Sequence, residues 1–163
     1  MKGPITTMQV AVTGALACVK ITGPAGFSIS VDFKALVKHC CEGSERVLML
    51  DLAECVNMDS TFLGVLASLS QRTAQPIQLL NANARITSQL DNLGVMELFQ
   101  ICTGPNPLTA PWQQAAPTAP ADKRELAQIS LEAHRTLMAL HPDNVPRFKD
   151  VEQFLKESLE CKQ

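Results

Sequence analysis

The sequence predicts an α/β protein: a mixed β-sheet with an N-terminal hairpin and crossover helices, followed by a C-terminal helical hairpin. Three patterns predict this fold class. Runs rich in Val, Ile and Ala flank Gly14 near the start of the chain. Apolar runs of strand length then alternate with segments of helical periodicity, which is typical of parallel strands joined by crossover helices. Two amphipathic helical stripes end the chain, beyond a stretch rich in Pro and Ala.

The N-terminal hairpin is predicted from two runs with strand composition. They cover residues 8–13 and 15–22, and Gly14 joins them. Residues 23–26 read Gly-Pro-Ala-Gly, a composition typical of loops. The chain is therefore expected to leave the sheet at residue 23.

A first helix is predicted over residues 31–41, because apolar side chains recur there at helical spacing. Ser30 or Asp32 is the expected N-cap. Gly43 follows the last helical residue, as glycine commonly does at helix C-termini.

The central strand is predicted at residues 47–52, where a continuous apolar run indicates a strand buried on both faces. Asp51, inside this run, is expected to accept hydrogen bonds that fix a neighbouring loop. The remaining elements alternate: a helix at 60–72, a strand at 76–81, a helix at 84–93, and a short strand that ends residues 95–102.

Three regions are expected along the chain. Residues 1–102 form the sheet domain, residues 103–121 form a linker rich in Pro and Ala, and residues 122–163 form a helical hairpin. Asp122 is the predicted cap of the first hairpin helix. Two helices shield each other only partly, so we expect the remaining apolar stripe to pack on the domain or to form a homodimer.

Charge and hydropathy exclude several classes of protein. The net charge is −2, which gives no electrostatic basis for binding nucleic acid or an anionic membrane surface. No apolar run approaches the roughly 20 residues that a transmembrane helix needs. The N-terminus lacks a long apolar segment, so no signal peptide is expected and the protein is predicted to be cytoplasmic.

We expect no metal and no other cofactor. The six cysteines lack the paired spacing of zinc ligands and are interpreted as reduced thiols of a cytoplasmic protein. Residues 23–26 lack the Lys-Ser/Thr that follows a phosphate-binding loop. His39, beside Cys40 and Cys41, marks the one cluster that could be reactive, although one buried and one exposed thiol at a helix end is the simpler interpretation.

No catalytic residue is predicted. His39, His134 and His141 are far from Ser60 in the sequence and belong to unrelated elements. We therefore expect no Ser–His nucleophile and base pair.

The most informative motif is Asp59-Ser60-Thr61, which opens the helix predicted at 60–72. Asp and Ser are both good N-cap residues, and a cap contributes about 1 kcal/mol without any signalling role. Two adjacent hydroxyls beside a carboxylate are also a possible phosphorylation site. From the residues alone, both interpretations stay open.

Residues 47–66 resemble the STAS family, whose best-studied soluble members are bacterial anti-sigma-factor antagonists. Those proteins carry a buried strand ending in Asp-Leu, then a loop, then Asp-Ser-Ser/Thr-Gly-Leu-Gly at the start of a helix. The matching residues here are Asp51-Leu52, Asp59-Ser60-Thr61 and Leu63-Gly64. The resemblance extends over about residues 8–102 and agrees with the predicted order of elements.

The resemblance implies a non-enzymatic regulatory module that takes part in signal transduction and transcription regulation. It implies that Thr61, or else Ser60, is phosphorylated by a partner serine kinase that is also the anti-sigma factor. The unphosphorylated form would bind this partner, and the phosphorylated form would release it. Asp59, Ser60, Thr61 and Phe62 are the residues expected at the partner surface.

Phe62 departs from the family pattern, which has glycine at this position. Its ring is expected to alter the approach of a kinase or to anchor a partner directly. An alternative role is therefore kept: other soluble STAS proteins are adaptor subunits of lipid-transport assemblies and bind an ATPase subunit without phosphorylation.

Overall fold

The computed structural model describes residues 5–109, 111–115 and 122–161. The strands are β1 (Thr7–Val12), β2 (Leu16–Ala25), β3 (Val47–Met58), β4 (Ile77–Leu80), β5 (Phe99–Cys102) and β6 (Gln113–Gln114). The helices are α1 (Phe27–Cys41), α2 (Ser60–Ser70), α3 (Ala84–Asn92), α4 (Lys123–Leu140) and α5 (Asn144–Glu160), with a 3-10 turn at Met96–Leu98. The predicted mixed sheet, crossover helices and C-terminal helical hairpin are confirmed.

The strands lie in the order β5-β4-β3-β2-β1-β6. β1 pairs antiparallel with β2, whereas β2, β3, β4 and β5 are parallel neighbours. Leu48, Leu50 and Leu52 of β3 are buried, which confirms the apolar run as an interior strand. The carboxyl end of β3 leads directly into α2, so the sheet fixes where α2 begins.

The predicted loop at residues 23–26 is wrong, because β2 continues to Ala25. The pairing of β2 with β3 shifts register twice, between Lys20 and Thr22 and again between Gly23 and Ala25. Gly23 has a φ of +94°, a conformation that glycine adopts readily. These irregularities accommodate the glycine and proline inside the strand rather than ending it.

The predicted start of α1 is also wrong, because the helix begins at Phe27 rather than at residue 31. Its N-cap is Gly26, which has no side chain to cap with. The backbone N–H of Phe27 instead donates to Oδ2 of Asp59, 2.8 Å away. The cap is thus supplied by a residue that is remote in sequence.

The second face of the sheet is partly covered by described residues that lie between β5 and β6. Leu108 and Trp112 pack against the buried side chains of Cys18, Met49 and Leu80. The predicted role of Asp51 as a hydrogen-bond acceptor for a neighbouring loop is confirmed, because its Oδ2 accepts from Nδ2 of Asn106 at 2.8 Å. Gln113–Gln114 then pairs with β1, so part of the segment expected as a linker belongs to the sheet.

The C-terminal hairpin forms a further layer outside α2. Ile129, Ala133 and Leu137 of α4 are buried, and α5 packs on α4. Asn144 fixes the turn between the two helices, because its Nδ2 donates to the carbonyls of Leu93 and Leu137, each 2.9 Å away. The expectation that the hairpin packs on the domain is confirmed.

Candidate functional site at the start of α2

Asp59 links the starts of two helices. Its Oδ1 accepts from the N–H of Phe62 at 2.9 Å, which caps α2, and its Oδ2 accepts from the N–H of Phe27 in α1. Its own backbone N–H donates to the carbonyl of Ala25. A carboxylate at two helix N-termini also interacts favourably with both helix dipoles. Asp59 is therefore the cap, and the hydroxyls of the next two residues are not needed for that role.

Ser60 contacts the C-terminal hairpin. Its Oγ lies 2.8 Å from Nε2 of His134 in α4. Nδ1 of the same ring lies 2.7 Å from the carbonyl oxygen of Ser130, which can only accept. In a neutral ring Nδ1 therefore carries the proton, and Ser60 donates to Nε2.

Thr61 is held by the same helix. Its Oγ1 lies 2.9 Å from Oγ of Ser130, and only 5% of the residue is exposed. The two hydroxyls of the motif thus each meet one polar side chain of α4, and these partners are four residues apart on one face of the helix.

Phe62 is fully buried. Its ring lies 4.8 Å from that of Phe33 in α1, with an interplanar angle of 50°. The side chain points into the core rather than towards a partner. The ring fills the space between α2 and α1. That Phe62 anchors a partner or alters the approach of a kinase stays a prediction.

Gly64 allows α2 and α4 to approach closely. A Cβ at this position would lie 2.4 Å from the carbonyl oxygen of Ala133 and 2.6 Å from its Cβ. Both distances are shorter than van der Waals contact, so a side chain cannot be added unless the helices separate. Gly64 belongs to the motif quoted above, and the structure explains why glycine is required in this chain.

His134 was expected to be remote from Ser60 because of their separation in the sequence, but the fold brings the two side chains together. The Ser60–His134 pair has the distance of a nucleophile and its base. His134 is, however, only 4% exposed, and its ring lies 5.0 Å from that of Phe148 in α5. The imidazole is therefore almost inaccessible while the hairpin is docked.

The buried cysteines are not activated thiols. Burial raises the pKa of Cys18 and of Cys55 to about 11. Burial also raises the pKa of Cys40 and Cys41, against the opposing charge of Arg46. Cys40 is buried and Cys41 is half-buried, so this helix end is not a reactive pair. Among the described residues, no three His, Cys, Asp or Glu side chains converge as metal ligands.

The sequence did not indicate that Ser130, Ala133 and His134 lie beside the motif. They belong to α4 and lie 69 residues or more from their partners, as the Thr61–Ser130 and Ser60–His134 pairs show. Ala133 lies on the predicted apolar stripe of α4, and Ser130 and His134 lie beside that stripe. A stripe of that kind predicts burial, but it does not identify the surface that is covered.

A family model of the STAS domain matches residues 7–105, more than half of the chain. This chain belongs to the STAS family. The family match ends before α4, so the hairpin that covers Ser60 and Thr61 lies outside it. Comparison with curated proteins gives no match.

Two solved structures share the fold of this STAS protein. One is a proposed anti-sigma factor antagonist from Thermotoga maritima, with 15% identity and a TM-score of 0.52 over 59% of this chain and 85% of that one. The other is the anti-sigma factor antagonist SpoIIAA in its unphosphorylated form, with 15% identity and a TM-score of 0.52 over 59% and 88% of the two chains. At this identity the similarity establishes the fold. Within the part of the chain that is described, no helix is long and apolar enough to cross a membrane.

Proposed function

We propose that this STAS protein is a non-enzymatic, cytoplasmic regulatory module that binds an anti-sigma factor or serine kinase at the start of α2. Phosphorylation of Thr61, or of Ser60 as the second acceptor, would switch this binding. The observation that carries the proposal is the cap: because Asp59 satisfies the N–H of Phe62, both hydroxyls are released from capping. The two hydroxyls in the first turn of α2 are bonded to α4 instead and are not part of the cap.

The chemistry of the proposed switch is a phosphoryl transfer from ATP bound by the partner kinase. The O–H bond of the acceptor breaks, its proton passes to a base of the kinase, a new O–P bond forms and ADP leaves. The product carries a charge of about −1.5 to −2 at neutral pH. At the N-terminus of α2 that charge is favoured by the helix dipole, so α2 itself tolerates the modification. Binding would therefore change through local charge and bulk.

The proposal is tested by incubating the full chain with a candidate serine kinase of the anti-sigma class and ATP, followed by mapping of the phosphorylated residues. We expect phosphate on Thr61, with Ser60 as the minor site. Thr61→Val should abolish the major signal, whereas Thr87→Val in α3 is a matched control that should not. If Thr61 and Ser60 stay unmodified, and Thr61→Glu leaves partner binding unchanged, the proposed switch is wrong.

The second candidate function is a phosphorylation-independent adaptor bound to the ATPase subunit of a transport complex. The burial of Thr61 favours it, since a hydroxyl on a residue that is only 5% exposed is a poor kinase substrate. The two functions differ in what co-purifies with the tagged full chain. A stable complex with an ATPase subunit, equally strong for wild type and Thr61→Val, would favour the adaptor.

A further inference from the structure

We propose that the hairpin of α4 and α5 is an intramolecular competitor for the binding surface on α2, and that a phosphate on Thr61 and a docked hairpin exclude each other. This inference rests on the proposed function, because it describes how that same surface is regulated. The protein would have a closed state, in which α4 covers Ser60 and Thr61, and an open state in which a partner reaches them.

The first argument is the lack of space at Thr61. Its Oγ1 is within hydrogen-bond distance of Oγ of Ser130, at 2.9 Å, and the residue is almost completely buried. A phosphorus atom bonded to Oγ1, with three further oxygens, does not fit between atoms at that distance. Modification of Thr61 therefore requires α4 to move away from α2.

The second argument is electrostatic. The groups that face the two hydroxyls are the Ser130 hydroxyl and the Nε2 of His134. With Nδ1 bound to the Ser130 carbonyl, a neutral His134 presents a lone pair at Nε2 towards Ser60. In this arrangement Nε2 accepts from Ser60 and offers no hydrogen to a phosphate oxygen. Burying a charge without a compensating partner on α4 is unfavourable, which favours the open state.

The third argument is that α4 and α5 are bonded to each other, in addition to the bond from Asn144 at their turn to Leu93 of the domain. Arg135 of α4 forms an ion pair with Glu152 of α5, with Nε 2.9 Å from the carboxylate oxygen. At the other end, Nη1 of Arg124 donates to the carbonyl of Leu159 at 2.8 Å. These contacts between α4 and α5 do not involve the sheet domain. They hold the two helices together when the contact with α2 is broken.

Hydrogen exchange of the full chain, measured by mass spectrometry, tests the exclusion without a kinase. Thr61→Glu places a carboxylate where the phosphate would be, and Thr61→Val is the matched control that removes only the hydroxyl. We expect exchange in α4 and α5 to be at least about tenfold faster in Thr61→Glu than in Thr61→Val. β3 should stay protected in both and serves as the internal reference. Wild-type protection of α4 in Thr61→Glu would overturn the inference.

A second pair of variants opens the hairpin without changing either hydroxyl. Gly64→Ala adds a methyl group that overlaps Ala133, while Gly14→Ala adds the same group where no atom lies within 4 Å. We expect faster exchange in α4 and faster phosphorylation of Thr61 in Gly64→Ala alone. Equal exchange in α4 for the two variants would refute the competition. If α4 opens in Gly64→Ala and Thr61 still accepts no phosphate, the proposed phosphorylation fails, whereas the closed hairpin of wild type is confirmed.

Discussion

Nε2 of His134 in α4 lies 2.8 Å from Oγ of Ser60 at the first position of α2. This contact joins the helical hairpin to the motif on which the proposed function rests. The ring of His134 is buried against Phe148, whereas Ser60 is half-buried, so the hydrogen bond is partly shielded from water. A hydrogen bond of this kind contributes about 0.5–1.5 kcal/mol, and more is lost when one partner is left buried and unsatisfied.

His134→Ala should therefore lower the free energy of unfolding by about 2–4 kcal/mol, since it removes the hydrogen bond and leaves a cavity against Phe148. Ser60→Ala should cost about 1–2 kcal/mol. Urea denaturation of both variants and of the double variant measures the coupling between the two side chains, expected at about 1 kcal/mol. If the losses of the two single variants simply add up in the double variant, the hydrogen bond between the two side chains contributes nothing to stability.

Asp59→Ala should destabilise the protein by about 2 kcal/mol, because one carboxylate bonds the N–H groups of Phe62 and Phe27. Asp122→Ala is the matched control. Its carboxylate caps only α4, by accepting from the N–H of Glu125, so about 1 kcal/mol should be lost. Urea denaturation compares the two variants. An equal loss would show that the bond to α1 has no net effect on stability.

Phe62→Ala should cost about 3–5 kcal/mol, because the side chain is fully buried against Phe33. Phe154→Ala in α5 is the matched control: that ring is 71% exposed, and its loss should change stability by less than about 0.5 kcal/mol. Thermal unfolding of the two variants separates these effects. A stable Phe62→Ala variant with weakened partner binding would return Phe62 to the role of a partner anchor.

The buried thiols should react slowly with alkylating reagents. Their ionisation in the unfolded chain should lower the free energy of unfolding at high pH. With a pKa of about 11, Cys18 and Cys55 are protonated at pH 8, so iodoacetamide should modify the exposed Cys161 first. The unfolded chain loses these protons near the ordinary pKa of 9.0, and the folded chain keeps them. Their contribution to stability is therefore complete below pH 9 and is lost as the pH rises towards 11. Peptide mapping of the native protein measures the order of alkylation. Modification of Cys18 at the rate of Cys161 would contradict the prediction.

Local patterns predicted those parts of the fold that depend on local forces. The apolar run of β3 is buried as expected, and Asp59 caps the N–H three residues later. The start of α1 could not be predicted in this way, because the carboxylate that bonds its first N–H comes from Asp59, 32 residues beyond Phe27. A cap supplied from another element leaves no trace in the sequence around the helix it caps.

The same reasoning explains what was missed at the candidate site. The motif identified Ser60 and Thr61, and nothing near them in the chain indicated that α4 covers them. His134 is 74 residues from Ser60, and the hydrogen bond depends on how two amphipathic helices cross. Helix periodicity gives the apolar face of α4 but does not give its crossing partner. Gly64 is required because a side chain there would overlap Ala133, and this contact could not be predicted from the residues around position 64.

Only a few residues of the sequence separate α4 from the last contact with the sheet. The N–H of Ala115 donates to the carbonyl of Met8, and only residues 116–121 separate this contact from Asp122, the cap of α4. A ligand joined to its binding site by a short segment acts at an effective concentration on the order of millimolar. A separate protein that bound bare α2 with a dissociation constant of about 1 μM would therefore show a weaker apparent affinity for this chain, in proportion to the closed fraction. Dilution weakens a complex between two proteins but leaves this internal contact unchanged. The closed state therefore sets a minimum affinity that any partner must exceed to bind α2.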